Sequence, residues 1–423
     1  MRKFNVIDIF AGCGGLADGF KKSEAYDLVA AVEWEKAPAQ NLVNRLVSKW
    51  DYSDAHKRVM VFDLQRTNEL FTGWQNDPKY GSHKGLDQLV GDKDIDLIIG
   101  GPPCQAYSVA GRIRDKDGMR NDYRNYLFES YIEVVKRYKP KAFVFENVQG
   151  ILSAKPGGIP VTELIKKEIE DAGYAIIDNL KDHALLDLTE YGIPQKRNRV
   201  IILAVNKNYF KNTNQVLLDF YQNVLPSYKE GPEKTVKDAI GDLPPLYPIQ
   251  ENGSLLKKKY SHTFSNNEMV LNHTPRFHSK RDIEIFNILA KDIETKNFKY
   301  TSTDALKKLY TEKTGKASNV HKYYVLRWNL PSNTIPAHLY KDGLRHIHPD
   351  SNQARSITVR EAARLQTFDD DYEFISSTGD NYKMIGNAVP PKLAEKLGLA
   401  VKEILTEGYV ERISLEKNNF SLI

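Results

Sequence analysis

The sequence predicts an α/β fold: a doubly wound, mostly parallel sheet with a second, smaller and irregular domain. Three observations predict it. In residues 1–205, short apolar runs alternate with amphipathic stretches. The runs are nearly continuous in Val, Ile, Leu and Phe, as strands covered on both faces should be. From 206 to about 330 the texture changes to Asn, Lys, Tyr, Pro and Thr with weak periodicity, and order then returns.

Taken in order, FNVIDIF, LVAAVEW, RVMVFDL, DIDLIIGG, KAFVFENV and RVIILAV read as strands. Between the fourth and fifth, NYLFESYIEVVKRYKP sets Leu127, Tyr131, Val134, Val135 and Tyr138 at three- and four-residue steps, the spacing of a crossover helix. Strands alternating with helices imply a parallel sheet, whose ligands gather at the carboxyl ends of the strands. Glu33, Asp63, Cys104 and Glu146 all fall at such ends. Beyond 205, LPPLYP, LKKKYSHTFSNNE and NHTPRFHSKRDIEIF read as loops. SITVREAARLQTF reads as a helix opened by a capping box, Thr358 with Glu361. MIGNAVPPKLAEKLGLAVKEIL reads as a Gly-Asn turn, two prolines and an amphipathic helix. The domain boundaries expected are 1–205 completed by 385–423, then 206–345, with 346–384 as hinge and returning segment.

The 423 residues suffice for two domains, and 41% hydrophobic with 27% charged residues is ordinary for a soluble globular protein. Two cysteines cannot build a disulfide framework, which points to a reducing cytoplasm. MRKFNVIDIF is too short and too mixed for a signal peptide, and no apolar run approaches a membrane span, so no membrane partner is expected. No metal is expected either. Residues 206–340 hold 20 Lys+Arg against 13 Asp+Glu, leaving 40 against 42 for the remainder. Basicity concentrated in one segment points to a polyanion there, although a solvated Lys-rich face gives the same count.

DIFAGCGGLADGF follows the first strand and opens a helix. Its glycines let a ligand approach the backbone, and the helix N-terminus offers free N–H groups to an anion. It lacks the Lys-Ser/Thr ending of a phosphate-binding P-loop. Glu33, 18 residues past Gly15, can accept from both hydroxyls of a ribose. Trp34 can stack on a base, and Asp63 can accept from an exocyclic amine. An adenosine bearing a carboxylate, as in S-adenosylmethionine, fits these residues as well as a dinucleotide does.

GGPPCQAYS sets Cys104 behind two prolines. Alone, it reads better as a turn with a small buried hydrophobe than as a nucleophile. FENV alone reads as a solvated carboxylate at Glu146, and QKRNR as the polar face of an extended edge carrying Gln195, Arg197 and Arg199 at a period of two. The set changes the reading, because a thiol, a carboxyl and two guanidinium groups then project from one end of one sheet.

The ordered series FAGCGG, GGPPCQAYS, FENV, QKRNR, REAARLQTF and GNAVPP resembles the DNA (cytosine-5) methyltransferases of bacterial restriction-modification systems, over roughly 1–205 and 355–400. The resemblance implies a Rossmann-like, S-adenosylmethionine-dependent methyltransferase fold, with 206–345 as a DNA target-recognition domain. It implies Cys104 as nucleophile on cytosine carbon 6, Glu146 on ring nitrogen 3, Arg199 on the cytosine carbonyl and Arg197 in support of the thiolate. It implies a cofactor site of Phe10, Gly12, Gly14, Glu33, Trp34 and Asp63, with Pro103 and Asn387 as further contacts. Arg360 and Arg364 become structural organisers. The charged stretch 108–125 becomes a loop closing over a base flipped out of the duplex. Gln105, Arg112, Arg276, Lys280, Arg281 and Arg327 are the expected DNA contacts. Tyr107, where the family more usually has Phe, and VFDL around Asp63, where a Gly often precedes the acid, are small departures. A monomer acting on double-stranded DNA in the cytoplasm, at the nucleoid, is expected, with a cognate restriction endonuclease as partner. A tRNA cytosine-5 methyltransferase would share the chemistry, but that branch has a shorter variable region and a Cys-Phe-Thr signature that this chain lacks. A non-catalytic DNA-binding protein on the same frame has no need of Cys104, Glu146 and Arg199 together.

Overall fold

The computed structural model describes residues 2–102, 127–155, 158–249, 260–264, 270–317, 323–341 and 343–410. Pro103, Cys104, Gln105 and Arg112, with the loop read at 108–125, lie outside the described residues. The chain divides into two units: Met1–Tyr191, Asn198–Glu230 and Ala388–Ile423 make the first, and Gly192–Arg197 with Gly231–Asn387 the second. Residues 206–230 therefore go with the first unit and 346–387 with the second, whereas the boundaries expected from the sequence fall at 206, 346 and 385.

The first unit is built on an eight-stranded sheet of β1 (Phe4–Ile9), β2 (Tyr26–Glu33), β3 (Val59–Val61), β4 (Leu97–Gly100), β5 (Ala142–Val148), β6 (Tyr174–Ala175), β7 (Leu185–Asp187) and β8 (Asn198–Asn206). The order is β3-β2-β1-β4-β5-β8-β6, and β7 also pairs with β8. All six apolar runs lie in this sheet. Strands β1 to β5 run parallel, while β8 is antiparallel to β5. That reversal brings the first residues of β8 beside the last of β5, with Arg199 opposite Val148 and Ile201 opposite Glu146.

Helices α1 (Gly15–Lys22), α2 (Lys36–Trp50), α3 (Leu127–Tyr138) and α4 (Val161–Asp171) belong with this sheet; α5 (Lys280–Glu294), α6 (Thr303–Thr314), α7 (Val359–Leu365) and α8 (Thr378–Asn387) belong to the second unit; α9 (Pro391–Leu405) returns to the first. Helix α3 is the expected crossover helix, burying Leu127, Tyr131, Val134 and Val135. Helix α9 buries Leu393, Leu397, Ala400, Val401 and Ile404, one stripe at helical spacing. It lies so close to α1 that a Cβ on Gly19 would stand 2.3 Å from the Pro391 carbonyl oxygen. Helix α1 is also tied to α2, because Arg45 Nε donates to Asp18 Oδ1 at 2.6 Å with both side chains buried.

In the second unit, Ile285, Phe286, Leu289, Leu306, Leu309, Tyr323, Val325 and Ile347 share a core. All three of the expected loops need correction here. LPPLYP contains the strand Leu246–Pro248, which pairs antiparallel with the strand His262–Phe264 in LKKKYSHTFSNNE, and NHTPRFHSKRDIEIF contains the start of α5, capped by Ser279. Gly386 and Asn387 are likewise the last residues of α8 rather than a separate turn. The capping box of Thr358 and Glu361 is present at α7. Buried Arg355 donates to both carboxylate oxygens of Glu361 at 2.7 Å. Arg360 donates to the carbonyls of Leu271, Asp369 and Tyr372, and Arg364 to Asp242 and Asp370, so both arginines fasten loops.

Candidate active site

Glu146 and Arg199 are brought together by the register of β5 and β8. They sit diagonally on one face, and Arg199 Nε lies 2.6 Å from Glu146 Oε1 with both side chains mostly buried. Arg199 Nη1 donates to the Asn198 carbonyl, while its buried Nε–H finds no hydrogen-bond partner of acceptable angle among the described residues. The chain leading toward Cys104 runs past this pair. Asn147 Nδ2 donates to the Pro102 carbonyl at 3.4 Å, and a Cβ on Gly101 would stand 2.8 Å from Glu146 Oε2.

The Gly-rich turn lies at the end of β1, two strands from β5 in the same sheet. Phe10, Gly12 and Gly14 all have left-handed φ, of 62°, 56° and 85°. For Phe10 that is a strained conformation, held by its surroundings. Gly14 is the N-cap of α1 and supplies no capping side chain, so the first N–H groups of the helix are not met by a cap. A Cβ on Gly12 would meet open space, whereas one on Gly14 would stand 2.5 Å from Leu42 Cδ1. Glu33 at the end of β2 accepts from Gly12 N–H at 2.8 Å and from Glu35 N–H at 2.7 Å, which fixes its carboxylate beside the turn. Burial raises the Glu33 carboxyl, against the pull of these two N–H groups. Trp34 is exposed, and half-buried Asp63 accepts from the Gln65 N–H at 3.0 Å. The open space at Gly12 and the oriented carboxylate fit an adenosine-type cofactor. Among the described residues no group of three His, Cys, Asp or Glu is placed to hold a metal ion, and no helix is long and apolar enough to cross a membrane.

The remaining expected residues lie in the second unit. Gln195 is fully buried; its amide donates to the Leu365 carbonyl and Gln366 Oε1 and accepts from Ile335 N–H. Arg197 is 3% exposed and donates to the carbonyls of Ile335 and Gly386. The period-two reading set Arg197 and Arg199 on one face, but the chain passes from one unit to the other between them. Asn387 ends α8. Arg276 donates to the carbonyls of Leu339 and Tyr340 and stacks over Tyr382. Lys280 and Arg281 are exposed at the start of α5, with Arg281 paired to Asp282. Arg327 is half-buried over the Phe298 ring.

Residues 4–403 match the C-5 cytosine-specific DNA methylase family. The chain belongs to that family. The methylase is 34% identical to Type II methyltransferase M.Bpa9945I of Bacillus paralicheniformis, over 95% of this chain and 99% of that one. Among solved structures, a DNA modification methyltransferase candidate encoded in an E. coli prophage superposes with a TM-score of 0.62 at 23% identity, over 96% of the methylase and 100% of that chain. The S. pombe Dnmt2 methyltransferase superposes at 0.54 with 16% identity, again over 96% and 100%. Both likenesses concern the fold, a Rossmann-like methyltransferase sheet.

One residue near the site escaped the sequence reading. Asp8, the next-to-last residue of β1, is fully buried, and neither carboxylate oxygen has a hydrogen-bond partner among the described residues. Burial raises its carboxyl well above the ordinary range, and the Glu33 charge adds to this. An acid between Ile7 and Ile9 inside an apolar run was the available sign.

Proposed function

We propose that the methylase transfers a methyl group from S-adenosylmethionine to carbon 5 of a cytosine turned out of duplex DNA, with Cys104 as transient nucleophile. The observation that carries this reading is the pair of Glu146 and Arg199, with Arg199 Nε 2.6 Å from Glu146 Oε1 and Gly101 and Pro102 alongside. Nitrogen 3 and the carbonyl oxygen of cytosine are neighbours on one edge. A carboxylic acid beside a guanidinium matches that edge, one group delivering a proton and the other donating hydrogen bonds.

The chemistry asks for these groups. Carbon 5 of cytosine is a poor nucleophile, and addition of the Cys104 thiolate to carbon 6 makes the ring an enamine. Glu146, in its acid form, delivers a proton to nitrogen 3 as the thiolate adds, and Arg199 holds the carbonyl oxygen. When bound, S-adenosylmethionine supplies an electrophilic methyl group. Loss of the proton from methylated carbon 5 and return of the nitrogen 3 proton to Glu146 then expel Cys104 as thiolate and restore the aromatic ring. Arg197, through the carbonyls it holds, acts as a positioning residue, and family resemblance supports its further role toward the thiolate. Phe10, Gly12, Gly14, Glu33, Trp34 and Asp63 would hold the cofactor, with Pro103 and Asn387 added by resemblance.

Recognition of the DNA sequence is assigned to the basic segment. Lys280, Arg281 and Arg327 are the candidates for phosphate or base-edge contacts, with Gln105 and Arg112 of the first unit's sequence as further candidates. Arg276, whose two terminal nitrogens donate to the carbonyls of Tyr340 and Leu339, is the fourth candidate in this unit. The relatives' names support a restriction-modification role, with an endonuclease reading the same site. The test is methyl transfer to duplex DNA with labelled S-adenosylmethionine, mapped by bisulfite sequencing. A single cytosine context converted to 5-methylcytosine supports the reading, and label found in tRNA but not DNA would overturn it.

A further inference from the structure

Between β3 and β4 a small hairpin stands apart from the main sheet, with Trp74–Asp77 pairing antiparallel to Gly81–His83. A two-stranded hairpin is marginal on its own in water, so its anchors decide where it stays. Here they are aromatic and ionic. Trp74 stacks on Phe62 with ring centroids 3.7 Å apart, and Tyr80 meets the same ring edge-on at 5.1 Å. Arg66 stands 4.8 Å over Phe62, donates to Asp77 at 2.6 Å and is also paired with Glu69. Asp77 Oδ1 accepts from the N–H groups of Lys79 and Tyr80 at 2.9 Å, which fixes the tip. Phe62 is the residue before Asp63, so the hairpin is moored at the end of β3.

Its tip reaches the end of β2. Lys79 Nζ lies 5.2 Å from the centroid of Trp34 and 4.8 Å from that of Tyr80. Trp34 follows Glu33 and is 41% exposed, unusual for a side chain of that size. The hairpin tip thus joins the two strand ends that carry Glu33, Trp34 and Asp63, and nothing in the reaction itself requires it.

We propose that Lys79 is a positioning residue for the cofactor: its ammonium, presented by the Trp74–His83 hairpin, holds the Trp34 indole in the orientation that receives the adenine. The proposal rests on the adenosine site assigned above. A contact that fixes the indole before the cofactor arrives lowers the ordering cost that is otherwise subtracted from affinity. An exposed cation–π contact of this kind corresponds to about a 2- to 5-fold change in binding.

The test uses the full-length protein and calorimetric titration with S-adenosylmethionine and with S-adenosylhomocysteine, which share the adenosine. Lys79→Met keeps the apolar stem and removes the charge; it should weaken both ligands about 2- to 5-fold. Lys79→Arg should restore binding, and the kinetic change should fall in KM for the cofactor rather than in kcat. Trp34→Ala separates the two claims. If Trp34→Ala weakens the cofactor while Lys79→Met does not, the adenosine site stands and the role of Lys79 is overturned. If neither variant changes affinity, the adenosine site at Trp34 fails and Lys79 falls with it. Weakening by Lys79→Met that Lys79→Arg does not rescue, accompanied by a lower melting temperature, would mark a merely structural residue and overturn the proposal.

Discussion

Lowering the pH to about 5 should open the second unit while the sheet of the first still holds. Five histidines there are buried with at most 5% exposure, and burial lowers four of them furthest: His262, His278, His346 and His348. The hydrogen bonds of His278 and His348 require the neutral ring. His278 Nε2 accepts from Ser356 N–H and His348 Nδ1 from Asp350 N–H, and a protonated nitrogen cannot accept. His262 Nε2 faces the Gln353 carbonyl, which leaves Nδ1 to accept from the Ser261 hydroxyl. Burial, first among the causes, lowers His262 and His346 to about 4 and His278 and His348 to about 3. The folded values lie below the unfolded one, so the unfolded chain takes up protons first as the pH falls. Stability is therefore full above about pH 6.5 and is lost as the pH drops toward the folded values. By about pH 5 the loss is roughly 2 kcal/mol per histidine. Two of the four would already remove about 4 kcal/mol, a large share of the roughly 5–15 kcal/mol that holds a domain. Glu361 acts in the same direction: burial would raise it, but Arg355 holds it well below the carboxylate range. Hydrogen exchange read by mass spectrometry on peptides from 270–294 and 343–366, corrected for intrinsic rates, should show protection falling steeply between about pH 6.5 and 5. Peptides from β4 and β5, which contain no histidine, serve as the control. Flat protection in the second unit, or an equal fall in β4 and β5, would refute the reasoning.

Glu146→Gln should keep DNA and cofactor binding but lose turnover by about 10² to 10⁴, since an amide donates a hydrogen bond without delivering a proton; near-normal turnover would remove Glu146 from that role. Gly19→Ala should lower the melting temperature, because the roughly 1 kcal/mol gained in helix propensity is outweighed by a Cβ placed 2.3 Å from the Pro391 carbonyl and 2.4 Å from Ala394 Cβ; an unchanged or higher midpoint would mean that α1 and α9 can part freely. DNA affinity, measured by anisotropy, should fall about 10³-fold or more between 50 and 200 mM salt if six or more phosphates are neutralised, and a flat dependence would contradict a phosphate-binding basic segment.

The first unit was legible because its strands are buried on both faces and so carry unbroken apolar runs. Their direction was not: β8 looks in composition like β4, yet runs the other way, and that reversal is what sets Arg199 against Glu146. Helix α5 was hidden because the loop-like NHTPRFHS leads directly into it, although Ile285, Phe286, Leu289 and Ala290 then bury one face. Helix α6 buries only Leu306 and Leu309 among its lysines and threonines, too sparse a stripe to stand out. Spacing alone suggested that Arg197 and Arg199 share a task. Spacing could not show that Arg197 also closes on carbonyls more than 130 residues away. Asp8 shows the same limit from the other side, because burial without a partner is a tertiary fact that one acid in an apolar run only hints at.

The central claim, a covalent bond from Cys104 to carbon 6, is tested most directly with duplex DNA carrying 5-fluorocytosine at the target position. Once that ring is methylated, carbon 5 bears no proton to lose, so Cys104 cannot be expelled. The account predicts a protein–DNA complex that survives denaturation, forms only with S-adenosylmethionine present, maps by mass spectrometry to the peptide containing Cys104 and disappears in Cys104→Ser. A trapped adduct at the other cysteine, buried Cys13, or full methylation by Cys104→Ser, would contradict it.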